Sequence, residues 1–355
     1  MRDIPRAHRV GKFTSSVLAA LSVLAWPFAP SARSQSAKDV AARAQATALF
    51  AKALAVSDLR APGSPPFELR GTINARQRGR KDVTGAYLLK WASPEKWREE
   101  IHFSDYTRVR VGGKNLYWQS RTTSQEVQPV AELDQAMNFI KDLHIWARPE
   151  AMNDLKGVKL YQGKIKKAKS DCVTLKSKEN LYTPDYCFDP GKGMLVSEGP
   201  VNNELFELSE FTPFFGKLFP GNIRINEDPA LPVTFIVDSI SPLGSTDPTD
   251  FQPAPSATTW PSCDDPDTLP KPRHSILPVY PVSEKLARTD GAVLIYVVID
   301  TDGRLHNLKV LSAPDIGLAK SALTAVERWE FAPETCHNTP VPVETLLAVV
   351  YRLGR

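Results

Sequence analysis

The residues of this chain that could do chemistry are few and scattered. Its four cysteines are Cys172, Cys187, Cys263 and Cys336, and its six histidines are His8, His102, His144, His274, His306 and His337. No CxxC pair stands near them at metal-ligand spacing. Asp300 and Asp302 lie close together, but beside Gly303 they read as the solvated acids of a turn. His306 follows them on a strand, and His102 sits between Ile101 and Phe103. Alternation along a strand turns both histidines to solvent. There is no GxSxG, HExxH or P-loop motif. The chain therefore reads as a non-enzyme, with no catalytic, cofactor-binding or metal residues.

What the cysteines offer is cross-linking. An even number in an exported chain suggests two disulfides, and four cysteines allow three pairings. Cys172 and Cys187 fall on runs that read as adjacent antiparallel strands, so a local bond is expected there. That leaves Cys263–Cys336, which closes a longer loop and removes about 4 kcal/mol of unfolded-state entropy in the simple model. Export is read from the N-terminus. Arg2, Arg6, Arg9 and Lys12 precede an apolar run over residues 17–28, and Ala29, Ser31, Ala32, Ser34 and Ser36 follow. Residues 1–36 thus read as a signal peptide, with a short membrane anchor as the alternative. The run falls short of the about 20 residues that span a bilayer. The net charge of +4 is too mild to argue for nucleic acid.

The elements that must position these residues divide the chain. Residues 37–56 are alanine-rich and helix-prone. Period-two runs follow: residues 67–76, 87–91, 97–103 and 116–118 alternate or carry aromatics between turns, the mark of antiparallel sheet. Leu133, Met137, Ile140, Leu143 and His144 recur at helical spacing until Pro149. Strands resume at 158–167, 171–176, 181–188, 205–211, 222–225 and 233–240. Residues 37–240 thus read as one antiparallel β domain with two helices. Residues 241–271 are a proline-rich linker, its later half pinned to the C-terminal part through Cys263. In the remainder, residues 293–299 and 305–311 form an apolar hairpin. Ala319, Ala322, Leu323 and Val326 mark a helix, and residues 345–353 form a last strand. Strand, strand, helix, strand is a small α+β module.

Several short pieces of this module occur together. They are Tyr280-Pro281, Asp290-Gly291, Asp302-Gly303, the helix exit Trp329, Phe331 and Pro333, and Pro340-Val341 before the last strand. Over residues 272–355 they resemble the C-terminal domain of TonB-family energy transducers. The resemblance implies a β-β-α-β fold that docks an outer-membrane TonB-dependent receptor, or another envelope protein, by β-strand addition. By resemblance the docking edge is the last strand, with Thr345, Leu347, Val349 and Tyr351. A transducer also engages an ExbB/ExbD-type motor, which requires a retained N-terminal anchor. Family members usually carry Gly where this chain has Asn338-Thr339, and Asn tolerates the positive φ of that turn. Leu347, Val349 and Tyr351 share one face of the strand, and Leu346, Ala348 and Val350 the other. Both sets are apolar, so the outer side is expected to be covered by a partner or by the linker.

The larger domain is similar in outline to LolA/LolB-type lipoprotein carriers, whose half-barrels hold acyl chains. Trp97-Arg98 falls at a typical place. Trp91, Trp97, Phe103, Tyr117 and Trp118 either line such a cavity or fill an ordinary core. The expected fold class is α+β: a half-barrel-like antiparallel sheet, a linker and a TonB-like module. The expected location is the periplasm. The alternative function is a lipid or lipoprotein carrier with a docking tail.

Overall fold

The computed structural model describes residues 36–77, 81–176, 178, 184–200, 205–228, 230–263 and 265–353. The signal or anchor read over residues 1–36 lies outside these, apart from Ser36. So do residues 181–183 of one expected strand.

The alanine-rich stretch forms helix α1 (Ala37–Ser57), which buries Ala46, Phe50, Ala53 and Ser57 at helical spacing. Five strands then meander: β1 (Phe67–Ala75), β2 (Val83–Ser93), β3 (Lys96–His102), β4 (Thr107–Gly113) and β5 (Leu116–Arg121). Alternating burial along β1 puts Phe67, Leu69 and Ile73 into the core. Helices α2 (Gln128–Met137), α3 (Phe139–Trp146) and α4 (Pro149–Asn153) follow. The sheet resumes with β6 (Gly157–Ile165), β7 (Ala168–Lys176), β8 (Pro184–Phe188), β9 (Leu195–Pro200) and β10 (Phe206–Ser209). A small hairpin, β11 (Thr212–Phe214) and β12 (Lys217–Phe219), precedes β13 (Asn222–Ile225) and β14 (Val233–Pro242). With β15 (Thr258–Pro261), the large sheet has thirteen strands in the order β15-β5-β4-β3-β2-β1-β14-β13-β10-β9-β8-β7-β6.

Three expectations change. The helical run from Leu133 to His144 is two helices, because the backbone turns at Asn138 between α2 and α3; with α1 and α4 the described residues of the large domain carry four helices, where two were expected. Strand β4, where Arg108 and Arg110 alternate with only two valines, was missed because so short an alternation is a weak signal. The proline-rich stretch also carries structure. A short 3-10 turn at Pro248–Phe251 is capped by Asp247, and β15 pairs with β5, Thr258 opposite Gln119 and Pro261 opposite Leu116. Proline is tolerated there because β15 is an edge strand.

The C-terminal module begins with β16 (Lys271–His274) and α5 (Val282–Leu286), then β17 (Gly291–Ile299), β18 (Leu305–Ser312) and α6 (Ile316–Val326). It ends with β19 (Glu330–Ala332), β20 (Glu334–Cys336), β21 (Thr339–Val341) and β22 (Val343–Tyr351). Its sheet has the order β18-β17-β22. The turn between β17 and β18 needs Gly303 twice over. Its φ is +83°, and a Cβ there would lie 1.8 Å from the Phe331 carbonyl oxygen. Asn338 takes φ +60° as expected, and His337 takes +50° beside it.

Both disulfides form with the expected pairing, Cys172–Cys187 and Cys263–Cys336. The first joins residues directly opposite on β7 and β8.

The apolar hairpin strand is buried on both faces. Val293, Ile295, Val297 and Ile299 pack with Leu318, Ala322 and Val326 of α6. Ala292 and Leu294 face the other way and pack with Leu346 of β22 and Ala131 of α2. The module's second face therefore rests on a helix of the large domain. Of the last strand's outer set, α2 covers Leu346, whereas Ala348 and Val350 stay exposed and carry no cover.

Candidate functional site

Strand β22 runs antiparallel to β17 over nine consecutive pairs, from Gly291–Tyr351 to Ile299–Val343, without a register shift. Among the described residues no strand pairs with its other edge. The opposite edge of the sheet is β18, which is broken by two register shifts against β17 and by Asn307 at φ +55°. Bulges of this kind blunt an edge. Val349 and Tyr351 are buried under α6, with Leu347 partly buried beside them, while Ala348 and Val350 are exposed. Of the four residues expected at the docking edge, Leu347, Val349 and Tyr351 thus give their side chains to the core, and Thr345 is half-buried. What they leave available to a partner is backbone.

The family-motif residues assemble around this strand. The Tyr280 ring stands edge-on to Tyr351, centroids 5.2 Å apart, and its hydroxyl donates to the Thr289 carbonyl. Pro281 caps α5, and Gly291 opens β17 at φ +136°. The Asp302 carboxylate accepts from the Arg304 amide at 2.9 Å. Trp329 donates its ring N–H to the Ile276 carbonyl at 2.9 Å. Phe331 is in the module core, and Pro333 is the half-buried residue between β19 and β20. All are scaffold positions of the fold.

A charge network absent from the sequence reading joins the module to the large sheet. Glu344, the only charged residue of β22, accepts from Arg121 at 2.7 Å and from Gln119 at 3.0 Å. The Tyr296 hydroxyl of β17 donates to it as well. Arg110 lies 3.6 Å away. Burial pushes the Glu344 carboxyl up, but Arg110 and Arg121 with the Tyr296 and Gln119 hydrogen bonds hold it below its ordinary value. Behind it, fully buried Arg108 makes a two-pronged contact with Asp134 at 2.6 and 2.7 Å. It also donates to Glu126 at 2.7 Å and to Glu99 at 2.8 Å. Burial opposes the charge on Asp134, and Arg108 with Arg110 outweighs it. The alternation Arg108-Val109-Arg110-Val111 was the available signal: two arginines on one face of a strand need buried acids.

Next to this network lies a cavity of about 210 Å³. Its apolar wall includes Leu69, Tyr87, Leu89, Trp97 and Tyr117 of the large sheet, with Met137 and Phe139 of the helices. Pro261–Cys263 and Val341–Glu344 complete it from the linker and the module. Its charged lining is Asp58, Glu99, Asp134, Glu334 and Glu344 against Arg60, Arg110 and Lys141. Burial pushes the Tyr117 hydroxyl up to about 12, against Arg110 and helped by Glu344. Of the five aromatics considered for a cavity, Trp97 and Tyr117 line it. Trp91 is a core residue stacked on Phe67 at 5.5 Å. Phe103 is partly buried against the core, and Trp118 is half-buried on β5.

The histidines stay apart. His102 is exposed and bonded to Glu100 at 2.8 Å. His306 lies 3.7 Å from Asp300 at the hairpin turn. His144 lies 3.4 Å from Asp58 and 3.6 Å from Asp265. Among the described residues no group of acids, histidines and cysteines is arranged to hold a metal ion, and no helix is long and apolar enough to cross a membrane.

Comparison with curated proteins returns no match. Among solved structures, a LolA superfamily protein of Nitrosomonas europaea is 12% identical, with a TM-score of 0.36, covering 58% of this chain and 97% of that one. A complex of Pseudomonas aeruginosa MucA and MucB is 10% identical, with a TM-score of 0.25, covering 74% and 82%. The solution structure of the Pseudomonas aeruginosa TonB C-terminal domain is 25% identical, with a TM-score of 0.22, covering 25% and 91%. Residues 277–353 match the family model of the Gram-negative bacterial TonB protein C-terminal domain, so the module built on β17, β18, α6 and β22 is TonB-like.

Proposed function

We propose that this is a non-enzymatic protein of the cell envelope that docks an extended segment of a partner at the free edge of β22. The partner is an outer-membrane TonB-dependent receptor or another envelope protein facing the periplasm. The observation that carries the reading is the contrast between the two edges of the module sheet: β22 is long and in unbroken register, whereas β18 is bulged. An edge left smooth is one that another strand can extend. Backbone bonds would supply much of the affinity, and exposed Ala348 and Val350 would set the register. The test uses the full chain and immobilised peptides from the periplasmic ends of candidate receptors. Binding that is lost on Val350→Pro or Val349→Pro, in a chain that stays folded, supports strand addition. If wild-type protein captures no peptide, or neither proline changes capture, the docking reading fails. Coupling to an ExbB/ExbD-type motor belongs to this reading only if residues 1–36 are retained as an anchor. Mass spectrometry of the mature N-terminus from membrane and soluble fractions decides that.

The cavity favours a second reading, a carrier of an apolar ligand whose TonB-like module is a docking tail. Trp97 and Tyr117 on a concave apolar wall are suited to desolvating such a ligand. Saturable binding of an apolar probe by the full chain, abolished when the cavity is filled, tests it.

A further inference from the structure

We propose that the cavity between the large sheet and the TonB-like module binds one small amphiphile whose polar end is an uncharged or cationic hydrogen-bond donor. A fatty-acid carboxylate is refused. The inference rests on the carrier reading and narrows it.

Size comes first. An engineered cavity of about 150 Å³ takes up benzene, so about 210 Å³ suits a short alkyl chain or a pair of fused rings. The several acyl chains of a lipoprotein do not fit while the module is seated. The module is seated firmly: Glu344 is bound by Arg121 and Gln119, Leu346 packs with Ala131, and Cys336 is joined to Cys263 beside the cavity.

Charge comes second. The cavity lining holds five carboxylates and three cations. Each cation already faces an acid. Arg110 lies 3.1 Å from Asp134 and gives its Nε–H to Gln119 at 2.6 Å. Lys141 lies 3.3 Å from Glu334. Arg60 lies close enough to Asp58 to stabilise its carboxylate. Arg108, behind the wall, is committed to Glu99, Glu126 and Asp134. A carboxylate brought into this cavity would lose its water and gain no cation, at a cost burial makes steep. A hydroxyl or ammonium head instead meets the carboxylate oxygens of Glu99, Glu334 and Glu344, which have lone pairs to accept with.

The experiment is calorimetric titration of the full-length oxidised chain at pH 7 with three ligands of one chain length: octylamine, octan-1-ol and octanoate. Octylamine and octanol are expected to bind at one site, at least tenfold more tightly than octanoate. Leu89→Trp, which fills the cavity, should abolish that site and leave any surface adsorption of the amine. Glu334→Gln, which removes the partner of Lys141, should raise octanoate binding several-fold. If octanoate binds as well as octylamine and Leu89→Trp abolishes both, the carrier reading stands and the proposed selectivity is wrong. If no ligand gives a signal that Leu89→Trp removes, the carrier reading fails and the selectivity falls with it.

Discussion

Arg108 meets three acids at once. It is fully buried among Glu99, Glu126 and Asp134. Removing it leaves three acids without their shared cation, and breaking a buried pair in this way costs about 3–5 kcal/mol. Arg108→Ala is expected to lower the stability measured by urea unfolding by about that amount, with Arg110 and Arg121 still beside the acids. Arg108→Lys should recover only part of it, because an ammonium cannot make the two-pronged contact with Asp134. A second set of acids works in the opposite sense. Burial pushes Glu132 up to about 8, despite the Gln128 hydrogen bond and with help from Glu227 and Asp228. Burial pushes Glu227 up to about 7. Asp142 and Glu198, hydrogen-bonded to each other, are both raised by burial. The folded chain therefore binds more protons than the unfolded chain from about pH 4.5 upward, and stability falls as pH rises through the folded values. Asp134 and Glu344 are held low, so their contribution is present above the ordinary carboxylate range and lost as pH falls below it. The urea midpoint should peak between about pH 4 and 5 and drop measurably by about pH 8. A midpoint that rises from pH 6 to 8 would contradict the buried-acid assignment.

At the level of elements, the hairpin β17–β18 shows why a glycine cannot be replaced at its turn. Gly303→Ala would place a methyl against the Phe331 carbonyl oxygen in a backbone conformation that L residues avoid. The substitution should cost more than the about 1 kcal/mol of an ordinary glycine exchange, read as a lowered midpoint with loss of the Trp329 environment by fluorescence. Strand β17 itself was legible as a strand, but its sequence did not say what lies against each face. A strand with one buried face alternates, whereas one buried on both faces does not. The sequence therefore announced a covered second face without naming the cover. The two-helix break at Asn138 and strand β4 escaped for a related reason. A local turn between two apolar helices does not disturb an apolar period, and the two valines of β4 are too few to establish one.

Across the molecule, everything from Ala37 onward clusters as one compact unit. A TonB-like module on a free linker would unfold separately from the large domain. Here β15 is a strand of the large sheet, Asp265 of the linker pairs with Arg148 of the large domain, and Leu294 and Leu346 pack with Ala131. Scanning calorimetry of the oxidised protein should therefore give one cooperative transition. Two resolved transitions would mean that the module is not seated on α2. The Cys263–Cys336 bond spans a sequence separation of 73, worth about 4 kcal/mol in the chain-entropy model. Replacing both cysteines with serine should lower the transition temperature and split off the module as the less stable part.

Local chemistry is what the sequence carried on its own. Turn residues, period-two runs, the prolines and the cysteine count led to the strands, the hairpin at Gly303, both disulfides and the TonB-like motif. Each depends on residues near one another in the chain, or on so few candidates that pairing is nearly forced. The contents of the interface depended on folding. Glu344 meets Arg110 and Arg121 across more than two hundred positions, and no local pattern links a lone acid in one strand to arginines in others. The cavity has the same origin: its walls come from the large sheet, the helices, the linker and β22, and only packing brings them to enclose one space. Which face of β22 became core was likewise undecidable from alternating apolar residues, and was settled when α6 took Val349 and Tyr351 and α2 took Leu346.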